Sequence, residues 1–153
     1  MNRFILVIIL FNFLSCSSQN DAIKPSEIAT NFYYGADLSY VNEMQDCGAV
    51  YKNGNNEIKN VYKIFKEAGA NLIRLRLWHN PTWTSYSNYE DVKKAIKRAK
   101  AEGISVLLDF HYSDTWTDPS KQKIPAAWEI HINNKEQLGE LLYNYTFETL
   151  NNL

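Results

Sequence analysis

The chain is poor in cysteine and glycine and carries almost no net charge, and each shortage disfavours a class of protein. Its 153 residues include two cysteines and six glycines, and the formal net charge at pH 7 is −1. With so little charge, nothing indicates a nucleic-acid partner. No glycine-rich phosphate-binding loop follows the first predicted strand, which disfavours a dinucleotide-binding fold. We therefore predict no nucleic-acid partner and no cofactor.

The N-terminal residues predict export from a bacterial cell. Asn2-Arg3 supplies a short positive region, and the apolar run over residues 4–14 is too short to span a bilayer but suits a signal peptide. Leu14-Ser15-Cys16 resembles a bacterial lipobox, in which Cys16 is the lipidated residue. We predict a lipoprotein signal peptide over residues 1–16 and a polar tether over residues 17–31. The protein is then lipid-anchored or secreted at the cell envelope, and it touches the membrane only through its lipid.

Strands and helices are predicted to alternate over residues 32–153. Strands are expected at about residues 32–38, at residues 71–79 and from residue 104 onward. The first helix is expected after Asn55 or Asn56 and before Gly69, with Ile58 on its apolar face. The second lies between Asn88 and Gly103, and the third runs from about residue 135 to residue 150, with an apolar stripe made of Leu138, Leu141, Leu142 and Tyr145. This order predicts parallel strands with right-handed crossovers.

Polar and aromatic residues follow each predicted strand. Strict alternation over residues 71–79 puts Arg74, Arg76 and Trp78 on one face, and the same rule puts Asp109, His111 and Ser113 on one face after the apolar run at residues 104–108. Parallel α/β folds build their sites at this end of the strands. The alternatives are a strand that frays into a solvated loop and an edge strand whose arginines lie in water.

Four stretches together resemble a known family, the arabinogalactan endo-β-1,4-galactanases of glycoside hydrolase family 53. They are Gly35-Ala36-Asp37-Leu38-Ser39, Ile73-Arg74-Leu75-Arg76-Leu77-Trp78-His79-Asn80-Pro81, residues 107–119 (LLDFHYSDTWTDP) and Pro125-Ala126-Ala127-Trp128. The resemblance covers about residues 33 to 150, and it is most specific in the third stretch. It implies an α/β fold in which residues 32–153 are the N-terminal three strand–helix units of a (β/α)8 TIM barrel. It also implies a retaining hydrolase that cuts internal β-1,4 links in pectic galactan.

The resemblance and the strand directions imply a substrate cleft. Its candidate residues are Asp37, Arg74, Arg76, Trp78, Asp109, His111, Ser113, Asp114, Trp116 and Trp128. The two arginines are expected to orient a nucleophilic glutamate. The histidine is expected to donate to a sugar hydroxyl or a carboxylate, with Asp109 fixing its tautomer. The tryptophans are expected to stack on galactose, although core packing is an equal alternative for any one of them.

No catalytic residue is assigned in this chain. In the family, the acid/base glutamate follows the fourth strand and the nucleophile follows the seventh, and neither strand is expected among these residues. We therefore predict that the chain as given, a fragment of the barrel, has no galactanase activity. The spacing of Asp109, His111, Asp114 and Asp118 matches no metal-ligand signature, so no metal is predicted. The alternatives are a non-catalytic galactan-binding surface lipoprotein and a lipoprotein that uses the barrel fragment as a structural scaffold.

Overall fold

The computed structural model of the protein describes residues 32–153. The predicted signal peptide, the lipidation site Cys16 and the polar tether lie outside the described residues. Over residues 32–153, no helix combines the length and the apolar character needed to cross a membrane.

Three parallel strands form one sheet in the order β1-β2-β3, and helices separate them along the chain. The elements are β1 (Gly35–Asp37), α1 (Val41–Asp46), α2 (Val61–Glu67), β2 (Leu72–Leu77), α3 (Tyr89–Ala101), β3 (Ser105–Phe110), a 3₁₀ helix (Ala126–His131) and α4 (Lys135–Asn152). Asp37 pairs in register with Arg74, and Arg76 pairs with Asp109. The predicted α/β fold with a parallel sheet is confirmed.

The hydrophobic core determines which face of the sheet carries the polar residues. Ile73, Leu75 and Leu77 alternate along β2, and each is at most 1% exposed. They pack with α2 and α3 in one cluster. Burying each such side chain contributes about 1.5–3 kcal/mol. Because side chains alternate along a strand, the residues between them are directed to the opposite face.

The helix boundaries around α3 follow from local hydrogen bonds, as predicted. The side chain of Asn88 accepts a hydrogen bond from the backbone N–H of Asp91, which caps the helix. Helices α2 and α3 are followed by Gly69 and Gly103, whose φ angles are +95° and +64°. Such left-handed residues close the last turn of a helix and return the chain toward the sheet.

Helix α2 begins later than predicted. Its N-cap is Asn60, whose side chain accepts a backbone N–H of the first turn, and neither Asn55 nor Asn56 caps it. Those residues lie in a turn that Asn53 holds by accepting two backbone N–H groups, and Asn56 has a φ of +66°. Ile58 is outside the helix and 75% exposed. The prediction failed because asparagine side chains stabilise turns in competition with helices.

Two further predictions were partly wrong. Strand β1 has three residues, Gly35–Asp37, instead of the predicted span of residues 32–38, because only these three pair in register with β2. In α4, Leu142 is 43% exposed, although it was predicted on the apolar stripe. Tyr145 is the stripe residue that packs against the core cluster. Helix α1 was not predicted.

Candidate functional site

Arg74 joins the carboxyl ends of all three strands. Its guanidinium group pairs with the carboxylates of Asp37 on β1 and Asp109 on β3. The three side chains are 31–40% exposed. Two carboxylates therefore share one guanidinium group, and the positive charge of Arg74 is fully matched.

The carboxyl group of Asp37 is held in its ionised form. Burial alone would raise its pKa, but hydrogen bonds from Ser39 and the charge of Arg74 outweigh burial and lower the pKa below its ordinary value. The backbone N–H of Ser39 donates to Asp37 Oδ1 at 2.9 Å. The anion that matches Arg74 on the β1 side is thus stabilised independently of any ligand.

His111 is held at both ring nitrogens. Its Nε2 lies 3.1 Å from Asp109 Oδ2, and its Nδ1 accepts a hydrogen bond from Trp78 Nε1 at 3.1 Å. Since an indole N–H can only donate, Nδ1 carries no proton and the neutral ring is protonated at Nε2. Burial lowers the pKa of His111, and Arg76 and Arg74 lower it further against the opposing charge of Asp109. The imidazole is therefore neutral at pH 7, with the tautomer that Asp109 was predicted to select.

Arg76 has a different environment from Arg74. It is 2% exposed and has no carboxylate partner among residues 32–153. Its guanidinium carbon lies over three aromatic rings, 4.5 Å from that of Tyr40, 4.4 Å from that of Trp78 and 5.2 Å from that of Trp116. Nη2 donates to Ser87 Oγ at 3.0 Å, whereas Nε has no partner in the described part of the chain. The aromatic faces offset part of the cost of burying this charge.

Ser87, which the sequence analysis missed, fixes Arg76 in place. It is 1% exposed and has a φ of +54°. Its hydroxyl accepts from Arg76, its N–H donates to Asp91 Oδ2 at 2.7 Å, and its carbonyl accepts the N–H of Trp78 at 2.8 Å. All of its polar groups are therefore used to tie the loop after β2 to the site.

Asp114, a predicted cleft residue, has both carboxylate oxygens engaged by backbone. Oδ1 accepts the N–H of Asn80 at 2.8 Å, and Oδ2 accepts the N–H of Ala126 at 2.8 Å. The residue thus clamps the loop after β2 to the segment that leads into the 3₁₀ helix.

Ser113 does not join the cluster that strand alternation predicted. Strand β3 ends at Phe110, and Tyr112 has a φ of +45°, so the alternation stops before Ser113. Ser113 is completely buried, and within the described residues no hydrogen bond links it to Asp109 or His111. Its carbonyl instead accepts the backbone N–H of His79 at 2.8 Å.

The four tryptophans lie in segments that follow β2 or β3, and they differ in exposure. Trp78 and Trp128 are only 3% and 6% exposed, so neither offers a free ring face. Trp116 is 44% exposed, and its ring lies 5.5 Å from that of His111. Trp83 is 61% exposed and was not predicted as a site residue. Its signal in the sequence was an aromatic residue placed two positions after the Asn80-Pro81 motif.

An open groove lies beside His111 on the side of the loop that follows β3. Its lining combines aromatic, hydroxyl, amide and ammonium groups, from His111, Tyr112, Thr117, Gln122, Lys123 and Ile124. The edge of the sheet therefore combines a neutral imidazole, a paired guanidinium group, an unpaired one and exposed indole faces. Such a surface can bind a neutral polyhydroxylated ligand through hydrogen bonds and C–H contacts with the rings.

Comparisons with known proteins agree on one family. The profile of glycosyl hydrolase family 53 matches residues 33–153. The chain is 54% identical over 134 residues to an arabinogalactan endo-β-1,4-galactanase from Cellvibrio japonicus, covering 86% of this chain and 35% of that protein. It is 39% identical over 127 residues to an endo-β-1,4-galactanase from Bacillus subtilis, covering 78% and 29% of the two chains.

A solved structure gives the same result for the fold. It comes from work on two fungal β-1,4-galactanases and superposes on this chain with a TM-score of 0.73 at 42% identity, covering 79% of this chain and 35% of the other. The three strand–helix units correspond to the N-terminal part of the family's TIM barrel. The chain thus spans about a third of the length of the proteins it matches.

Proposed function

The chain belongs to glycosyl hydrolase family 53, and we propose that the protein acts in the endo-hydrolysis of β-1,4-galactosidic links in pectic galactan, with retention of configuration. Residues 32–153 supply part of the substrate cleft in this proposal. The relatives whose names state galactanase activity support it. This chain spans 35% of the first of them.

The observation that carries the proposal is the juxtaposition of Arg76 and Trp116 at the polar end of the sheet. The exposed indole of Trp116 offers a flat apolar surface to the C–H face of a galactose ring. Beneath it, the charge of Arg76 has no counter-ion within residues 32–153. Arg76, and not the fully matched Arg74, is therefore available to orient a nucleophilic carboxylate and to keep it ionised, as retaining hydrolysis requires.

We also propose that these 153 residues alone do not cleave galactan. The family resemblance implies an acid/base glutamate after the fourth strand and a nucleophile after the seventh, whereas residues 32–153 form the first three strands. Retaining hydrolysis needs two carboxyl groups about 5–5.5 Å apart across the scissile bond. Asp37 and Asp109 lie on the first and third strands and share the guanidinium group of Arg74, so neither occupies a position that the family resemblance gives to a catalytic glutamate.

A second candidate function is binding of galactan without cleavage. The intact contacts of His111, Arg74 and Trp116 support it, because they do not depend on either glutamate. The two functions can be distinguished by whether galactan is cut. A binding protein retains galactan without releasing reducing ends, whereas the hydrolase releases them.

The test compares two purified proteins on β-1,4-galactan: the 153-residue polypeptide and the longest product that its gene encodes. We expect reducing ends from a barrel-length product and none from the 153 residues. Trp116→Ala in the barrel-length product should lower kcat/KM through lost ring stacking. Cleavage by the 153-residue polypeptide that disappears on mutation of one of its own residues would contradict the proposal. A preference for a different β-glycan would contradict the substrate class.

We further propose that the protein reaches the cell envelope with a lipid on Cys16. The lipobox-like Leu14-Ser15-Cys16 after a short apolar run supports this. In a bacterial host, metabolic labelling with an alkyne fatty acid should label the wild-type chain and should not label Cys16→Ser. Equal labelling of the two forms, or export of an unlabelled wild type, would reject the anchor.

A further inference from the structure

We propose that Trp83 forms an additional sugar-binding subsite, which holds a galactose unit of the same chain that passes Trp116. The inference rests on the proposed function and extends it to the loop between β2 and α3. It depends on four features of Trp83: its exposure, the fixed orientation of its ring, the anchoring of its loop and its continuity with the site.

The ring of Trp83 is exposed and yet held in one orientation. Its Nε1 donates to the carbonyl oxygen of Asp114 at 3.0 Å, and its centroid lies 4.9 Å from that of Trp78 at an interplanar angle of 54°. The side chain is nevertheless 61% exposed. An indole whose only polar group is satisfied presents an apolar face to the solvent, and a fixed ring loses little conformational entropy on binding.

The loop that carries Trp83 is anchored at both ends. The N–H of Trp78 donates to the carbonyl of Ser87 at 2.8 Å, which closes the loop at its base. The N–H of Asn80 donates to Asp114 Oδ1 at 2.8 Å, which ties the loop to the segment after β3. The exposed indole is therefore supported by backbone hydrogen bonds on both sides.

A continuous row of rings links Trp83 to the site described above. The centroids are 4.9 Å apart from Trp83 to Trp78, 6.2 Å from Trp78 to His111 and 5.5 Å from His111 to Trp116. The two outer members are exposed, whereas Trp78 between them is buried. The two exposed indoles stand at the two ends of this row, so the proposed oligosaccharide contacts both of them.

The ligand chemistry follows from the position of the subsite. The axial hydroxyl of galactose leaves the opposite side of the ring with a patch of C–H groups, which suits an indole face. Trp83 has no free donor or acceptor, so this subsite contributes affinity through contact area. It should therefore act on longer chains and leave the shortest ligands unaffected.

The test measures dissociation constants for β-1,4-linked galacto-oligosaccharides, from galactobiose to galactohexaose, on the full chain that the gene encodes. Calorimetry is done at a temperature at which this chain releases no reducing ends, so that each ligand stays intact. Trp83→Ala should weaken binding of the longest oligosaccharides about fivefold to tenfold and leave galactobiose unchanged. Trp83→Phe keeps a flat face but loses the hydrogen bond to Asp114, and it should have a smaller effect. Trp116→Ala should weaken binding of every length.

Tyr143→Ala is the matched control, because Tyr143 is 64% exposed on α4 and stacks on Phe147 away from the row. It should change no dissociation constant. Far-UV circular dichroism and thermal melts establish whether each variant is folded. If Trp83→Ala does not fold, Trp83→Phe still tests the proposal. If the wild type binds longer oligosaccharides better and both Trp83 variants match it at every length, the subsite is refuted while the proposed function stands. If the wild type binds no galacto-oligosaccharide, the proposed function fails and the subsite fails with it.

Discussion

Arg74 and Arg76 lie two residues apart on the same strand, yet their positive charges have opposite environments. The first is partly exposed and paired with carboxylates, and the second is buried and has no carboxylate partner within residues 32–153. Arg74 is 37% exposed in its side chain and pairs with two carboxylates. Arg76 is 2% exposed and lies among three aromatic rings, with a serine hydroxyl as its hydrogen-bond acceptor. The alternation of β2 predicts both on one face and says nothing of this difference.

The two arginines therefore have different roles. The pairs formed by Arg74 connect β1, β2 and β3, so its contribution is to hold the strand ends together. The charge of Arg76 is unmatched within residues 32–153, so it remains available to an anion such as a catalytic carboxylate. If this assignment is correct, the two arginines will respond differently to the same substitution.

The largest expected effect is on turnover. In a barrel-length product, Arg76→Met should lower kcat on galactan by about 100-fold or more, the scale of removing one preorganised electrostatic group. The free energy of unfolding should fall as well, because the proposed catalytic carboxylate would be left without its guanidinium partner. Steady-state kinetics and urea unfolding measure the two quantities. Arg98→Met is the control, because Arg98 also stacks on an aromatic ring, that of Tyr62 at 4.6 Å, but lies on α3. Unchanged turnover in Arg76→Met would show that Arg76 does not act on a catalytic carboxylate, and the proposed difference in role between the two arginines would be wrong.

The next largest effect is on stability and concerns Arg74. Arg74→Met leaves two carboxylates without their guanidinium partner, and we expect a loss of about 1–2 kcal/mol in the free energy of unfolding. This loss is smaller than for a fully buried ion pair, because the three side chains are about a third exposed to solvent. Urea unfolding of Arg74→Met, Asp109→Asn and the double variant measures the coupling. If the losses in the two single variants add up to the loss in the double variant, the ion pair between Arg74 and Asp109 contributes nothing to stability.

A smaller effect tests how Arg76 is held in place. Ser87→Ala removes the hydroxyl that accepts from Arg76 Nη2, and we expect a loss of about 1 kcal/mol in the free energy of unfolding together with a lower kcat. Ser87→Gly removes the same hydroxyl but relieves the left-handed backbone, whose φ is +54°. It should be the more stable variant while showing the same loss of kcat. If only stability changed in both variants, Ser87 would have no positioning role.

The smallest effect is on the titration of His111. Its pKa is lowered in the folded chain, so the unfolded chain takes up a proton first as the pH falls. The stability that this group contributes is therefore complete above its unfolded pKa of about 6.5 and is lost as the pH falls through the folded pKa. NMR titration of the ring should give a pKa that rises more in Arg76→Met than in Arg74→Met. A value at or above the ordinary one in the wild type would contradict the assignment of the neutral tautomer.

Much of the fold could be predicted because local physics determines it. Alternation along β2 and the asparagine cap and glycine stop of α3 depend on residues close in the chain. The start of α2 could not be predicted in the same way, because the turn around Asn53 competes with the helix for the same residue types. Helix α1 was missed because six residues carry too weak a periodic signal.

The candidate site also has features that could be predicted from the sequence and features that could not. Arg74, Asp109 and His111 were predicted at one place because the ends of parallel strands bring them together. The burial of Trp78 and Trp128 depends on how distant loops pack, which residue type does not reveal. Trp83 was missed because its hydrogen bond to the backbone of Asp114 joins segments that the sequence keeps apart.

The central claim is that the polar end of the sheet, with Trp83 and Trp116 exposed, binds β-1,4-galactan. The most direct test is a nitrogen–proton correlation spectrum of the four indole N–H groups during titration with a β-1,4-linked galacto-oligosaccharide. The signals of Trp83 and Trp116 should shift with saturation, that of Trp128 should stay in place, and a cello-oligosaccharide should move none of them. If no indole signal moves, or if Trp128 alone responds, this end of the sheet is not the galactan cleft.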